Sequence, residues 1–296
     1  MNFRTVIISN RAKLDLKMGH LVVRTESEIK KIFLDELSVL IIENPMVSLT
    51  GCLIAALNEK KVKVIFCDEK RSPCCELVSL YGSHDTSDKI RKQIRWSDET
   101  KAFVWTEIVT EKIRKQSEHL KELELFSEAA LLDSYIEQIE FGDASNREGH
   151  AAKVYFNALF GMSFTRSTEC VTNAALNYGY GIILSAFNRE IVSQGYITQL
   201  GLFHDNMFNH FNLSCDLMEP FRVLIDREVR RSGFTKFESE EKHKLVDILN
   251  STVFINNTMQ YVSNAVRIYC RSVFDAMEEN DVSLIRFYSA GGKGEL

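Results

Sequence analysis

The 296-residue sequence predicts an α+β protein: a mostly-β, β-sandwich-like region over 1–82, a connector at 83–88, and a helical region over 89–296. Three observations carry that division. Before Gly82 the apolar residues alternate or cluster in short β-branched runs, as strands require. From Ser83 to Phe141 there is no glycine, and apolar residues recur at spacings of three and four, as helices require. Two of only three prolines, Pro45 and Pro73, fall in the first region at expected strand ends.

In chain order, "RTVIIS", "KLDLKM" and "LVVRT" are the first strands. Met18-Gly19-His20 forms the hairpin turn between the second and third, with Gly19 at positive φ. "VLIIEN" and "VKVIFCD" follow, separated by one helical stretch, "SLTGCLIAALNEK", and "CELVSLYG" is the last expected strand. "SHDTSD" is a polar connector ending in residues that favour helix caps. A long helix over "ETKAFVWTEIVTEKIRKQSEHLKELELF" comes next, then helical patterns over 127–140, 146–160, 173–194, 216–231, 239–253 and 258–278. The tail "SAGGKGEL" is expected to be loose. Between Gly195 and Asp216, "GYITQLGLFHDNMFNHFNLSCD" has no helical period, and irregular segments between rigid helices are where functional groups gather.

Composition bounds the function classes. Apolar content of 45% with 26% charged residues is ordinary for a globular protein, and no apolar run approaches the roughly 18 residues of a membrane span. The start, "MNFRTVIISNRAKLDL", turns polar too soon for a secretory segment, so a cytoplasmic protein is expected. Seven cysteines without a CxxC pair fit buried free thiols rather than a disulfide framework or a thiolate zinc site. The net charge of −5 is unevenly spread. Residues 1–100 hold 16 Lys+Arg against 14 Asp+Glu, and the remainder 20 against 27. "DKIRKQIRW" concentrates Lys89, Arg91, Lys92 and Arg95, a local basic stripe able to meet a phosphate backbone.

Acids and histidines stand at the starts of two helices. Ser145-Asn146-Arg147-Glu148 fits a capping box, in which Glu148 accepts the Ser145 N–H. His150 lies roughly 200° around the helix from Glu148, so the two cannot share a ligand. In "DLMEPFR", Asp216 and Glu219 are three apart and hence on one face, with Pro220 suited to a first turn. Acids there can simply complement a helix N-terminus, and His204 can be a core histidine. Together Glu148, His204, Glu219 and the accessory acid Asp216 form an oxygen-and-imidazole set suited to Mg²⁺ or Mn²⁺ and to phosphoryl transfer. From the residues alone, capping and metal binding both remain open.

"NREGHAAKVYFNALFG", "GLFHDNMFNHFN" and "DLMEPFR", in this order, resemble the CRISPR-associated spacer integrase, the larger subunit of the adaptation complex. "KVKVIFCDEKRSP" and "YGSHDTS" extend the resemblance over nearly the whole chain, and the strings are similar to the type II subtype found beside single-protein RNA-guided effectors. The resemblance implies an N-terminal β-domain for dimerisation and a helical catalytic domain. It implies three metal ligands, Glu148, His204 and Glu219, where many family members have Asp at the third position. His204 is then a ligand rather than a general base. The implied activity is a divalent-metal-dependent DNA integrase and endonuclease acting in antiviral defence. Free 3′-hydroxyls of a captured double-stranded DNA fragment attack phosphodiesters of a repeat array, without a nucleotide cofactor; no GxxxxGK[ST] loop is present. The implied partners are a second copy, forming a homodimer, and a small ferredoxin-like subunit that bridges two dimers into a heterohexamer. The effector nuclease and a further adaptation protein of the same system are implied as well. Lys89, Arg91, Lys92 and Arg95 are candidate backbone contacts or a solvated helix face. A nuclease that only resolves branched DNA and a noncatalytic DNA-binding scaffold are the alternatives.

Overall fold

A computed structural model describes residues 4–69, 71, 73–79 and 83–289. Two four-stranded sheets form the N-terminal part. One has the order β1 (Arg4–Ile8), β5 (Leu37–Ile42), β7 (Lys63–Cys67), β8 (Pro73–Glu76). The other has the order β4 (Ile29–Phe33), β3 (His20–Arg24), β2 (Lys13–Lys17), β6 (Ser48–Leu49). The β2–β3 hairpin turns through Met18 (φ 49°) and Gly19 (φ 74°), so both turn residues, not Gly19 alone, are left-handed, the geometry that matches strand twist. Pro73 opens the edge strand β8, where its missing N–H costs no ladder bond.

Helix α1 (Gly51–Glu59) is capped by the Thr50 hydroxyl, which accepts the Leu53 N–H. It packs with both sheets around Leu14, Leu21, Leu40, Leu53, Leu57 and Val64. β5 and β7 are parallel and buried on both faces, as parallel strands usually are. Leu40, Ile42 and Val64 enter the N-terminal core, whereas Val39, Ile41 and Ile65 enter the core of the helical part. The β1-β5-β7-β8 sheet is therefore a wall shared by the two cores.

The helical part contains α2 (Thr86–Ile94), α3 (Asp98–Glu122), α4 (Phe126–Glu137), α5 (Arg147–Phe160), α6 (Val171–Ser193), α7 (Asn212–Leu217), α8 (Arg222–Ser232), α9 (Ser239–Val246) and α10 (Val262–Glu279). It departs from the helical pattern in two places: the reading over 216–231 breaks into α7, which starts earlier at Asn212, a 3-10 turn at Glu219–Phe221, and α8, and a hairpin interrupts the later helices. β9 (Thr252–Ile255) and β10 (Thr258–Tyr261) form a hairpin through Asn256 (φ 51°) and Asn257 (φ 60°), so the helical readings over 239–253 and 258–278 are each cut short. The readings near Gly82 shift as well. β8 ends at Glu76, residues 80–82 of the expected last strand lie outside the described residues, and helix already starts at Thr86 within the expected connector. Ser289 is not loose, since it pairs through both backbone groups with Phe254 at 3.0 and 2.8 Å; residues 290–296 of the tail lie outside the described residues. The seven cysteines are free, but only Cys67 and Cys270 are buried as expected; Cys52, Cys74, Cys75 and Cys170 are exposed. Among the described residues no helix is long and apolar enough to cross a membrane.

Candidate active site

Four segments meet at the centre of the helical part: α3, the N-terminus of α5, the loop before α7, and the turn between α7 and α8. Helix α3 is capped by Ser97, whose hydroxyl accepts the Thr100 N–H at 3.0 Å. Two turns beyond Trp105, on the face α3 turns inward, it presents Lys112, which is buried.

At α5 the expected capping box does not form. Asn146 is the N-cap, in left-handed conformation (φ 52°), and its side chain accepts the Gly149 N–H at 3.3 Å. The buried Asp143 carboxylate accepts the N–H groups of Arg147 (2.7 Å) and Glu148 (3.1 Å). Two polar residues upstream thus satisfy the orphan donors of the first turn, and the Glu148 side chain is not needed as a cap. Half-buried, it receives a bond from the Lys112 ammonium instead. His150 points away, exposed, with its ring 6.4 Å from that of Tyr135 on α4.

Glu219 opens a 3-10 turn with Pro220 beside it, where the absent proline N–H leaves nothing unsatisfied. Its buried carboxylate is bonded by the same Lys112 ammonium and by Arg222 Nε at 2.8 Å. Burial pushes this carboxyl upward, but Arg222 and Lys112 outweigh it and hold the group at about 2. Lys112 itself stays above the usual lysine range, because Glu219 and Glu148 overcome the cost of burying its charge. The Arg222 guanidinium also lies 4.7 Å from the centre of the Tyr180 ring.

The fully buried Asp216 has a different role from Glu219. Its carboxylate accepts the N–H groups of Leu202 (2.6 Å), Phe203 (3.1 Å) and His204 (3.1 Å), and it pairs with His204 Nδ1 at 2.5 Å. Asp216 therefore shapes the loop and fixes the imidazole, leaving Nε2 as the free ring nitrogen. Its hydrogen bond is the main reason the His204 ring is raised above its ordinary value, against the effect of burial. Gly201 makes this wrap possible: an added Cβ would lie 2.4 Å from the His204 carbonyl oxygen and 2.7 Å from Asp216 Oδ2.

Glu148 and Glu219 are thus brought together on one cation, and His204 is held in the adjacent loop by Asp216. Among the described residues, no three Asp, Glu, His or Cys side chains are gathered closely enough to hold a metal ion. The donor chemistry suits a hard dication all the same: two carboxylates already share a cation, and a tethered imidazole keeps one nitrogen free.

The basic quartet separates. Lys89 lies 3.6 Å from Asp85 and 5.3 Å from the Tyr196 ring centre, and Lys92 pairs with Glu278 at 3.1 Å. Both line a polar cleft of about 940 Å³ with Arg189, Arg267 and Arg271. Arg91 and Arg95 are exposed, and among the described residues neither has an acid within 4.0 Å.

Sequence reasoning missed Lys112, Asp143 and Arg222. Lys112 could have been singled out, because a lysine four residues after Ile108 and seven after Trp105 falls on the apolar stripe of α3.

The sequence profile described as "CRISPR associated protein Cas1" matches residues 5–242. A CRISPR-associated endonuclease Cas1 of Neisseria meningitidis serogroup C (strain 8013) is 35% identical over 229 residues, covering 77% of this chain and 75% of that protein. The chain belongs to the Cas1 family. Among solved structures it is similar in fold to a Cas1 protein from Thermotoga maritima (TM-score 0.75, 15% identical, covering 99% of this chain and 100% of that one). It is similar also to a casposase bound to integration product (TM-score 0.74, 16% identical, covering 95% and 91%).

Proposed function

We propose that this protein is a divalent-metal-dependent DNA integrase and endonuclease that inserts short DNA fragments into a repeat array during spacer acquisition. The observation that carries the reading is the convergence of Glu148 and Glu219 on one cation seat, beside an imidazole fixed by Asp216. Family membership and the likeness of fold to a casposase support the integrase chemistry.

Glu148, Glu219 and His204 Nε2 would hold Mg²⁺ or Mn²⁺. The ion, when bound, polarises the phosphodiester and favours attack by an oxygen nucleophile. Asp216 keeps the His204 ring in one tautomer, since its carboxylate accepts the Nδ1 proton. Arg222 holds Glu219 ionised, and the buried Lys112 ammonium neutralises Glu219 and Glu148 from the seat that the ion would take. In the joining step, the 3′-oxygen of the captured strand forms a bond to phosphorus. The bond from phosphorus to the 3′-oxygen of the repeat strand breaks, and the attacking hydroxyl's proton is balanced by protonation of that leaving oxygen. One phosphodiester replaces another, so no energy source is required. The chain would work as a homodimer, with two dimers bridged by a small ferredoxin-like subunit.

Incubating a 3′-hydroxyl donor duplex with a repeat-bearing plasmid, metal and the bridging subunit tests this. The expected result is donor covalently joined to plasmid, abolished by a 3′-deoxy donor or by chelator. Metal-dependent cutting of branched DNA without any joined product would reduce the protein to a resolving nuclease.

A further inference from the structure

The loop that carries His204 ends in two side chains that no packing accounts for. Met207 and Phe208 are 86% and 82% exposed. They occupy the two corner positions of a turn closed by the Asn209 N–H bonding to the Asn206 carbonyl at 2.9 Å. Turn corners ordinarily carry glycine, proline or short polar residues, not large apolar ones.

The turn is braced from every side. Asn206 Oδ1 accepts the Phe208 N–H at 2.9 Å, and Asn209 Oδ1 accepts the Phe211 N–H at 3.0 Å. The Asn212 side chain accepts the Asn206 N–H at 3.3 Å and donates to the Asn206 carbonyl at 3.1 Å. Upstream, Phe203 is stacked on Trp105 with ring centres 4.6 Å apart and planes within 3°. A braced turn that holds a methionine and a phenylalanine out in solvent is built to insert them into something.

Its position says what. Met207 and Phe208 follow His204 by three and four residues, a span of at most roughly 14 Å even when extended. Nucleotides along one strand are spaced about 3.4 Å, so the tip reaches only bases within about four steps of a phosphate engaged at His204. A protein seated on this tip would cover the approach to His204, whereas a base stack beside the phosphate leaves it open.

We propose that Met207 and Phe208 form an apolar wedge that enters the DNA base stack beside the phosphate engaged at His204 and opens that step. Insertion of such side chains partly unstacks and kinks a duplex, which here exposes the phosphodiester to in-line attack. The inference rests on the DNA-integrase reading of the same site.

The test uses the full chain, the double variant Met207→Ser/Phe208→Ser, and Met207→Leu/Phe208→Leu, which keeps an apolar tip. A 2-aminopurine is placed at successive steps beside the target phosphate, and its fluorescence is read on binding in chelator. The wild type and the leucine variant should brighten it at one step, and the serine variant should not. On a paired target the serine variant should join donor roughly tenfold more slowly, and a mismatch at that step should restore it to within about twofold of wild type. Equal brightening by wild type and serine variant, or a rate loss that the mismatch does not rescue, overturns the wedge. So does a loss of dimer in the serine variant by sedimentation, which would assign the tip to a second copy. A wild type that joins and cuts no DNA, yet brightens the probe, would overturn the integrase reading while leaving the wedge standing.

Discussion

Two acid–histidine clusters in this protein look alike in composition and differ in how they are built. In the first, Glu148 and Glu219 share Lys112, and His204 Nδ1 is held at 2.5 Å by Asp216, which is itself anchored on three backbone N–H groups. In the second, the fully buried Glu43 at the end of β5 meets Arg71 (3.3 Å), Ser239 (3.4 Å) and His243 Nε2 (3.4 Å), and Ser9 meets the same ring nitrogen at 3.2 Å. The second has one carboxylate, long contacts, and a histidine whose Nε2 is shared among three neighbours. It ties the shared sheet to α9 across about 200 residues of sequence. The difference teaches that an acid beside a histidine is not yet a site. What distinguishes the first cluster is a second carboxylate, a lysine ammonium shared by the two, and a histidine fixed through its other nitrogen.

The largest expected effect separates the clusters directly. Glu148→Ala, His204→Ala and Glu219→Ala should each lower strand transfer by roughly 10²-fold or more. Glu43→Ala should leave transfer within about threefold of wild type while lowering unfolding free energy by about 2 kcal/mol. Comparable reductions of transfer for Glu43→Ala and Glu148→Ala would erase the distinction.

Lys112 sharpens the comparison. Replacing it by Met leaves two carboxylates without their shared cation, which should destabilise the protein in chelator by about 3 kcal/mol. Added Mg²⁺ or Mn²⁺ should then raise the melting temperature more than in wild type, because the ion no longer competes with an ammonium. An unchanged metal-induced rise would mean that the ammonium does not sit where the ion binds. The smallest effect concerns α2. Charge reversal of Arg91 and Arg95, which have no acid within 4.0 Å among the described residues, should weaken DNA binding. It should also reduce the log–log salt slope by about 0.9 for each phosphate that is no longer neutralised. The same reversal at Lys92, already paired with Glu278, should change the slope less; an unchanged slope for the arginine pair would leave them a solvated face.

Much of this was legible in the sequence, and the failures have particular causes. The order of β before α, the hairpin turn at Gly19 and the long α3 followed from period and turn chemistry. β4 was missed because "IKKIF" buries only Ile32 and pairs with β3 alone, so it shows no alternation. β9–β10 was missed because the asparagine pair at its turn was not read as left-handed, although Asn tolerates that conformation well. At α5 three polar residues compete for the cap, and the pattern from Ser145 to Glu148 cannot reveal that Asp143 reaches two N–H groups first. Asp216 and Glu219 are equivalent by spacing, and only the folded loop 202–204 separates the acid that positions His204 from the acid that faces Lys112. The role of Lys112 depends on how α3 packs against the start of α5 and the turn before α8, which no local pattern encodes.

The most direct test of the account is Glu148→Gln, followed by both strand transfer and thermal unfolding with and without metal. Capping of α5 falls to Asn146 and Asp143, so the swap should leave the melting temperature in chelator within a few degrees of wild type. A neutral amide oxygen is a poorer ligand for a hard dication, so transfer with Mg²⁺ or Mn²⁺ should be lost together with most of the metal-induced rise in melting temperature. A glutamine variant that joins donor DNA to a repeat at close to the normal rate would contradict the account and move the site elsewhere.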